Sequence, residues 1–192
     1  MVLCAGASNP TYDIAVSQLP MLQLIRAWFD LCLFRKGPQD LPASGFLLGL
    51  SLACYVLVSL LVALLSSDIN TAVQLAALDV GMLTVFVSAL LYLQSKTERV
   101  GQTLSAMAGS GSLMGLFALP LVLLVDPQLP ADQLSPLLTG SWLSLLIWNL
   151  FVMAHIMRHA LSTSFAIGLG AAVLYALVSM QIVATLFPQQ VV

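Results

Sequence analysis

The stretch GFLLGLSLACYVLVSLLVALL at residues 45–65 contains no charged side chain. A helix rises 1.5 Å per residue, so about 20 apolar residues cross the roughly 30 Å hydrocarbon core of a bilayer. The stretch therefore predicts a transmembrane helix. Further stretches meet the same length at 72–93, 104–125, 137–157 and 164–187, and the only Asp, Glu, Lys or Arg within them is Asp79.

Composition points to lipid as the surrounding medium. Of the 192 residues, 60% are hydrophobic and 7% are charged, whereas soluble domains carry about 25% charged residues. We therefore expect an all-α integral membrane bundle of five transmembrane helices over residues 45–187, with membrane lipids as its partners. The net charge of −2 and the lack of a basic run argue against a nucleic-acid partner.

The basic residues predict how the chain is oriented. Short polar segments separate the five stretches, so neighbouring helices should run antiparallel, with Asn70 or Thr71 capping the second. All basic residues then fall on one side of the membrane, and the acidic Asp68, Asp126 and Asp132 fall on the other. The positive-inside rule places the basic side in the cytoplasm. These topology-determining residues are Arg26, Arg35, Lys36, Lys96, Arg99 and Arg158.

The same rule gives a location for each terminus. We expect residues 1–20 to form an N-terminal cytoplasmic segment and the C-terminus to lie outside. The expected membrane is the inner (cytoplasmic) membrane of a cell.

Residues 21–36 precede the first span and have an amphipathic pattern. Apolar residues such as Ile25 and Trp28 recur at helical spacing, while Arg26 and Asp30 lie on another face. The segment is too short to span a bilayer. It predicts either a helix lying in the cytoplasmic interface or one packed on the cytoplasmic ends of the bundle.

Asp79 is the residue within the spans that most needs explanation. A carboxylate there costs about 3 kcal/mol, and no span contains a Lys or Arg to pair with it. By helix rise it lies roughly 10 Å below the outer surface. Similar depths are expected for Gln181, Ser144 and Ser59, so we predict a polar cluster of these four residues. It would act as an interhelical clamp or as a binding or proton-handling site.

Histidine and cysteine are the side chains that would hold a metal ion or form a disulfide. His155 and His159 are four residues apart, which places both rings on one helix face, but a metal site needs three or four ligands. We expect them to lie at headgroup level, with neither metal nor cofactor. Cys4, Cys32 and Cys54 show no CxxC spacing, and no disulfide is expected.

Small residues predict close helix packing. Gly111 and Gly115 form a GxxxG pattern in the third span, and the last span repeats small residues at this spacing, at 166 and 170 and at 168 and 172. Contact within the bundle is favoured over a dimer face. Asn149, near mid-membrane, is expected to bond across helices.

The stretch FRKGPQDLP at residues 34–42, followed by five closely spaced spans, resembles the Yip1 family of membrane proteins. The eukaryotic DLYGP pattern of that family is matched only at Gly37 and Pro38. The resemblance implies a non-enzymatic protein that acts through partner proteins or bilayer organisation.

The function predicted first is that of a structural or interaction subunit. Such a protein makes lateral helix contacts with other membrane proteins or with a second copy of itself. The chain contains no GxSxG, Walker A or HExxH motif, so we do not expect an enzyme. The alternative is a transporter or channel component that uses Asp79 as an intramembrane ionisable site. A third possibility, a metal- or haem-bearing subunit, depends only on the two histidines.

Overall fold

The computed structural model describes residues 20–124 and 135–188, and all regular structure there is helical. Five helices are long and apolar enough to cross a membrane, so the predicted all-α bundle with a preceding amphipathic helix is confirmed. The segment 1–19, Asp126, Asp132 and the last four residues lie outside the described part. The helices are α1 (Pro20–Cys32), α2 (Gly45–Leu64), α3 (Ile69–Leu93), α4 (Val100–Leu124), α5 (Pro136–Leu161) and α6 (Phe165–Leu186), with 3-10 turns at Pro38–Asp40 and Thr97–Arg99.

α4 begins at Val100, four residues before the predicted 104. α3 and α5 also extend beyond their predicted bounds, for local reasons. α3 begins three residues before the predicted 72 because Asp68 is its cap, in place of Asn70 or Thr71. The Asp68 carboxylate accepts hydrogen bonds from the backbone N–H of Asn70 (3.1 Å) and of Thr71 (3.3 Å). Hydrogen bonds from Thr71 lower the pKa of Asp68 below its ordinary value. α5 continues four residues past 157 and ends where Ser162 adopts a left-handed conformation, with φ of 52°.

The central helix is α4, which packs against α1, α2, α3 and α5. Residues 103–110 are all buried, and most have small side chains. A Cβ at Gly111 would lie 2.6 Å from a ring carbon of Tyr55, and one at Gly115 would meet Val58. The GxxxG pattern therefore brings α4 close to α2, which confirms the expected contact within the bundle.

Helix α1 packs on the bundle, as one of its two predicted positions required, but deeper than the predicted ends of the spans. Trp28, Leu31 and Cys32 are buried, and the Trp148 indole of α5 donates a 3.0 Å hydrogen bond to the Cys32 carbonyl. Trp28 contacts α4 at Gly109, which by helix rise is about 14 Å from the start of α4. The helix therefore lies beside the spans, deeper than their ends. It ends at Cys32, short of the predicted 36.

Hydrogen bonds tie the helices together at the end of the bundle that holds Lys36, Lys96, Arg99 and Arg158, here called the basic end. Lys96 Nζ donates to the Leu161 carbonyl, and Arg99 donates to the Ala160 carbonyl (3.3 Å) and to Ser162 Oγ (2.7 Å). These cations satisfy the last carbonyls of α5. Gln102 and His155 bond to the carbonyls of Leu41 and Lys36, both at 2.9 Å. The opposite end, near Asp68, is here called the open end.

We expect Gly111→Leu to destabilise the protein by about 1–3 kcal/mol, because the new side chain must displace Tyr55 from α4. Gly81→Leu is the matched control, since a Cβ there meets nothing within 4 Å. The measurement is the melting temperature of each variant in neutral detergent. Equal losses of stability in both variants would contradict the packing described for α4.

Cys32 tests the position of α1. Burial raises the pKa of this thiol to about 12, so little reactive thiolate exists at pH 8. In a chain with Cys32 as its only cysteine, we expect negligible maleimide labelling before unfolding in dodecyl sulfate and full labelling afterwards. The control is Arg35→Cys in a cysteine-free chain, because residue 35 is exposed. Equal labelling rates in the folded state would show that α1 is not docked.

Candidate functional site

A cavity of about 680 Å³ lies among α2, α3, α4, α5 and α6, in the half of the bundle toward the open end. Its walls are mostly apolar, and methionines contribute from four of the helices, at Met82, Met107, Met114, Met153 and Met180. Its polar lining includes Asp79, Ser59, Tyr55, Asn149 and Tyr175. Asp79, which the sequence indicates as a candidate functional residue, thus lines a cavity within the bundle.

Asp79 and Ser59 are brought together as the sequence predicted. The Ser59 hydroxyl on α2 donates a 2.8 Å hydrogen bond to Asp79 Oδ2 on α3. The two helices run antiparallel and are joined by a short turn after Leu64, so residues at equal depth on them become neighbours. This bond stabilises the carboxyl group within an apolar surrounding.

The structure does not bring the other two predicted members to Asp79. Gln181 on α6 is exposed, although Met180 and Val183 beside it line the cavity. Ser144 on α5 is also exposed, and its hydroxyl donates to the Gly140 carbonyl of its own helix at 2.8 Å. The depth estimated from the sequence pairs Ser59 with Asp79. It fails for Gln181 and Ser144 because depth does not determine which side of its helix a residue lies on.

Two tyrosines occupy the place expected for Gln181 and Ser144. Tyr55 lies one helical turn before Ser59, and Tyr175 packs its ring against Phe86 at 5.1 Å between centroids. Tyr175 is 9% exposed, and its hydroxyl has no hydrogen-bond partner among the described residues. The sequence signal that indicates Tyr55 is its spacing of four residues from Ser59, because residues at this spacing share a helix face.

Asn149 differs from its expected role. It lines the cavity, and no hydrogen bond from its side-chain amide to another helix is found among residues 20–124 and 135–188. Its amide is a further polar group available inside the cavity. No Lys, Arg or His is found among the described residues that line the cavity, so the carboxyl group of Asp79 has no cationic partner there. The site therefore offers acceptor oxygens within apolar walls.

The two histidines share one face of α5, with ring centroids 4.7 Å apart. His155 is buried within the bundle, and its Nε2 lies 2.9 Å from the Lys36 carbonyl oxygen at the basic end. His159 Nε2 is 3.3 Å from the guanidinium of Arg158. Over residues 20–124 and 135–188, no group of three or more His, Cys, Asp or Glu residues could hold a metal ion.

The five apolar helices and the cavity between them define the class: a multi-pass α-helical membrane protein. Comparison with known proteins adds no family to this class. No protein-family model matches the chain, and neither the curated proteins nor the solved structures give a significant match.

Proposed function

We propose that this protein is a transport component that binds an apolar molecule carrying a positively charged or hydrogen-bond-donating group. The observation that supports this function best is the intramembrane cavity with Asp79 inside it and no cation among its described lining residues. An ionisable residue within a membrane span is by default a candidate functional residue. This is the alternative that the sequence offered, and the geometry favours it.

The walls of the cavity fit an apolar ligand body. Its volume of about 680 Å³ lies within the roughly 300–1,000 Å³ typical of small-molecule sites. Methionine side chains are flexible and polarisable, and they adapt to ligands of different shape. The lining reaches Ser66 beyond the end of α2, so the cavity extends toward the open end, and we propose that a ligand enters from there.

The polar groups fit the charged or donating part of the ligand. The Asp79 carboxyl, the Tyr175 hydroxyl and the Asn149 amide all line the cavity. Hydrogen bonds to a charged group are stronger than neutral ones, and a low-dielectric surrounding strengthens them further. A cationic or donor group placed beside Asp79 would therefore be bound more tightly than an anionic one of equal size.

The proposed orientation follows from the basic residues. The positive-inside rule supports an inner-membrane protein with its N-terminus and basic end in the cytoplasm. The open end and its cavity would then face the outside of the cell. A ligand would enter from that side or from the outer lipid leaflet.

A second candidate function is lateral association, as the sequence first suggested. Gly45, Gly49 and Ala53 form an exposed stripe on α2, and a Cβ at either glycine would meet nothing within 4 Å. Small residues on a membrane helix permit close approach of another helix. We propose a second copy of this chain as the occupant. This role requires no enzymatic step and agrees with what the resemblance to the Yip1 family implies.

Binding of ethidium, an apolar organic cation, tests the first proposal. We expect Asp79→Asn to weaken ethidium binding about tenfold or more, since a charge-assisted hydrogen bond contributes about 1.5–3 kcal/mol. Binding is measured by fluorescence anisotropy in detergent, and uptake into proteoliposomes that contain DNA measures transport. Anilinonaphthalene sulfonate, an anion of comparable size, should bind more weakly to the wild type.

The matched control is Asp68→Asn, which removes an acid on the same side of the bundle without touching the cavity, while Asn still caps α3. It should leave ethidium binding unchanged. Equal ethidium affinity in the wild type and Asp79→Asn would refute the first proposal.

Disulfide formation tests the second candidate. In a cysteine-free chain within native membranes, Gly49→Cys should form a covalent dimer on oxidation, because the stripes of two copies face each other. Gly81→Cys on α3 is equally open and should form little dimer. Comparable dimer yields from both variants would indicate random collision and would exclude the α2 stripe as an interface.

A further inference from the structure

A second cavity, of about 570 Å³, lies at the basic end and shares no lining residue with the Asp79 cavity. It is formed by the 3-10 turn Pro38–Asp40, the first turns of α4 and the segment that joins α5 to α6. Arg99, Arg158 and His159 line it together with hydroxyl side chains. No acidic residue is among its described lining residues.

Three polar atoms in residues that line this cavity have no hydrogen-bond partner among the described residues. One is the hydroxyl of Thr103, which is fully buried. The others are the buried Thr163 hydroxyl and the buried Nε of Arg158. Buried polar atoms in native proteins are almost always hydrogen-bonded. These three atoms therefore leave hydrogen-bonding capacity that a bound group with acceptor oxygens would satisfy.

The α6 N-terminus opens onto the same cavity. Ser164 is its N-cap residue, yet its side chain makes no capping hydrogen bond, and both Ser164 and Phe165 line the cavity. The N–H groups of a first helical turn and the helix dipole favour an anion at this position. The α6 N-terminus would therefore attract an anion together with the hydroxyl and guanidinium donors of the cavity.

The cations have different roles in this site. Arg99 donates through one nitrogen to Ala160 and Ser162, which leaves its other nitrogens without a partner among the described residues. Arg158 contacts the His159 ring at 3.3 Å and lies 5.9 Å from the centre of the Phe165 ring. Neither arginine forms an ion pair with an acid in the described chain. Asp40, in the 3-10 turn that borders the cavity, accepts a 2.8 Å hydrogen bond from the Gly37 backbone.

We propose that this cavity binds the phosphate group of a phosphorylated molecule. A phosphate presents several acceptor oxygens, which match arginine forks, hydroxyl donors and a helix N-terminus. The volume exceeds that of a bare ion and leaves room for the group attached to the phosphate. Two sources share this chemistry: a phospholipid headgroup at the membrane surface and a soluble phosphorylated compound.

The test compares melting temperatures of the full chain in dodecyl maltoside. One arm titrates inorganic phosphate against chloride at equal ionic strength. The other adds phosphatidylglycerol or, as the phosphate-free counterpart, diacylglycerol. In the wild type we expect a rise in melting temperature with phosphate, with phosphatidylglycerol or with both. A response to inorganic phosphate alone identifies a soluble source, and a larger response to phosphatidylglycerol identifies the headgroup.

Two variants show whether this cavity is responsible. Arg158→Gln should weaken the response to phosphate or phosphatidylglycerol about tenfold in midpoint concentration. Arg26→Gln is its matched control, because Arg26 is an exposed cation on α1 that does not line the cavity, and it should respond like the wild type.

The variant Thr103→Val distinguishes phosphate binding from a purely structural role of Thr103. Replacing an unpaired buried hydroxyl with a methyl group should leave the melting temperature without ligand unchanged or raised, while the response to phosphate falls. The proposal is overturned if Thr103→Val and Arg158→Gln respond like Arg26→Gln. It is also overturned if chloride and diacylglycerol stabilise the wild type as much as their phosphate-containing counterparts.

Discussion

The architecture depends on close packing around α4. Its segment from Thr103 to Gly115 consists mostly of small residues, so helices approach it from four directions. In a bilayer the hydrophobic effect does not drive helices together, because lipid tails are as apolar as leucine side chains. Association must come from van der Waals contact and hydrogen bonds, and both require short distances. The contact of Gly111 with the Tyr55 ring is the clearest case. It also fixes Tyr55 and Ser59 on the side of α2 that faces the cavity.

Among the described residues, most hydrogen bonds between separate elements lie at the basic end of the bundle. At the basic end, Lys96 and Arg99 bind the last carbonyls of α5, and Gln102 binds the loop before α2. α3 and α6 make few contacts with each other, and the Asp79 cavity lies among them and the other three spanning helices. The proposed anion site and the proposed cation site therefore lie at opposite ends, each with complementary charge. Such separation lets one small bundle respond to two ligands of unlike chemistry.

The sequence predicts the fold well because each span is long, apolar and bounded by polar residues, and lipid imposes that pattern strictly. It also pairs Asp79 with Ser59, since a short turn fixes the relative depth of α2 and α3. It fails for Gln181 and Ser144 because the angle of a helix about its own axis depends on packing contacts distant in the chain. The same limit applies to Thr103, whose unpaired hydroxyl becomes evident only when α4 meets the turn between α5 and α6. The sequence also does not predict how deep α1 lies, because its depth is set by the contact of Trp28 with Gly109, and these two residues are far apart in sequence.

The contact of α4 with α2 at Gly111 should be present in a lipid bilayer as it is in this structure. Solid-state NMR on the protein in liposomes, with glycine and tyrosine carbon-13 labelled, measures this directly. We expect through-space cross-peaks between Gly111 and the Tyr55 ring, and none between Gly81 and any tyrosine ring carbon of α2. Cross-peaks from Gly111 to lipid acyl chains, with none to Tyr55, would show that the two helices do not meet there and would remove the basis for the cavity.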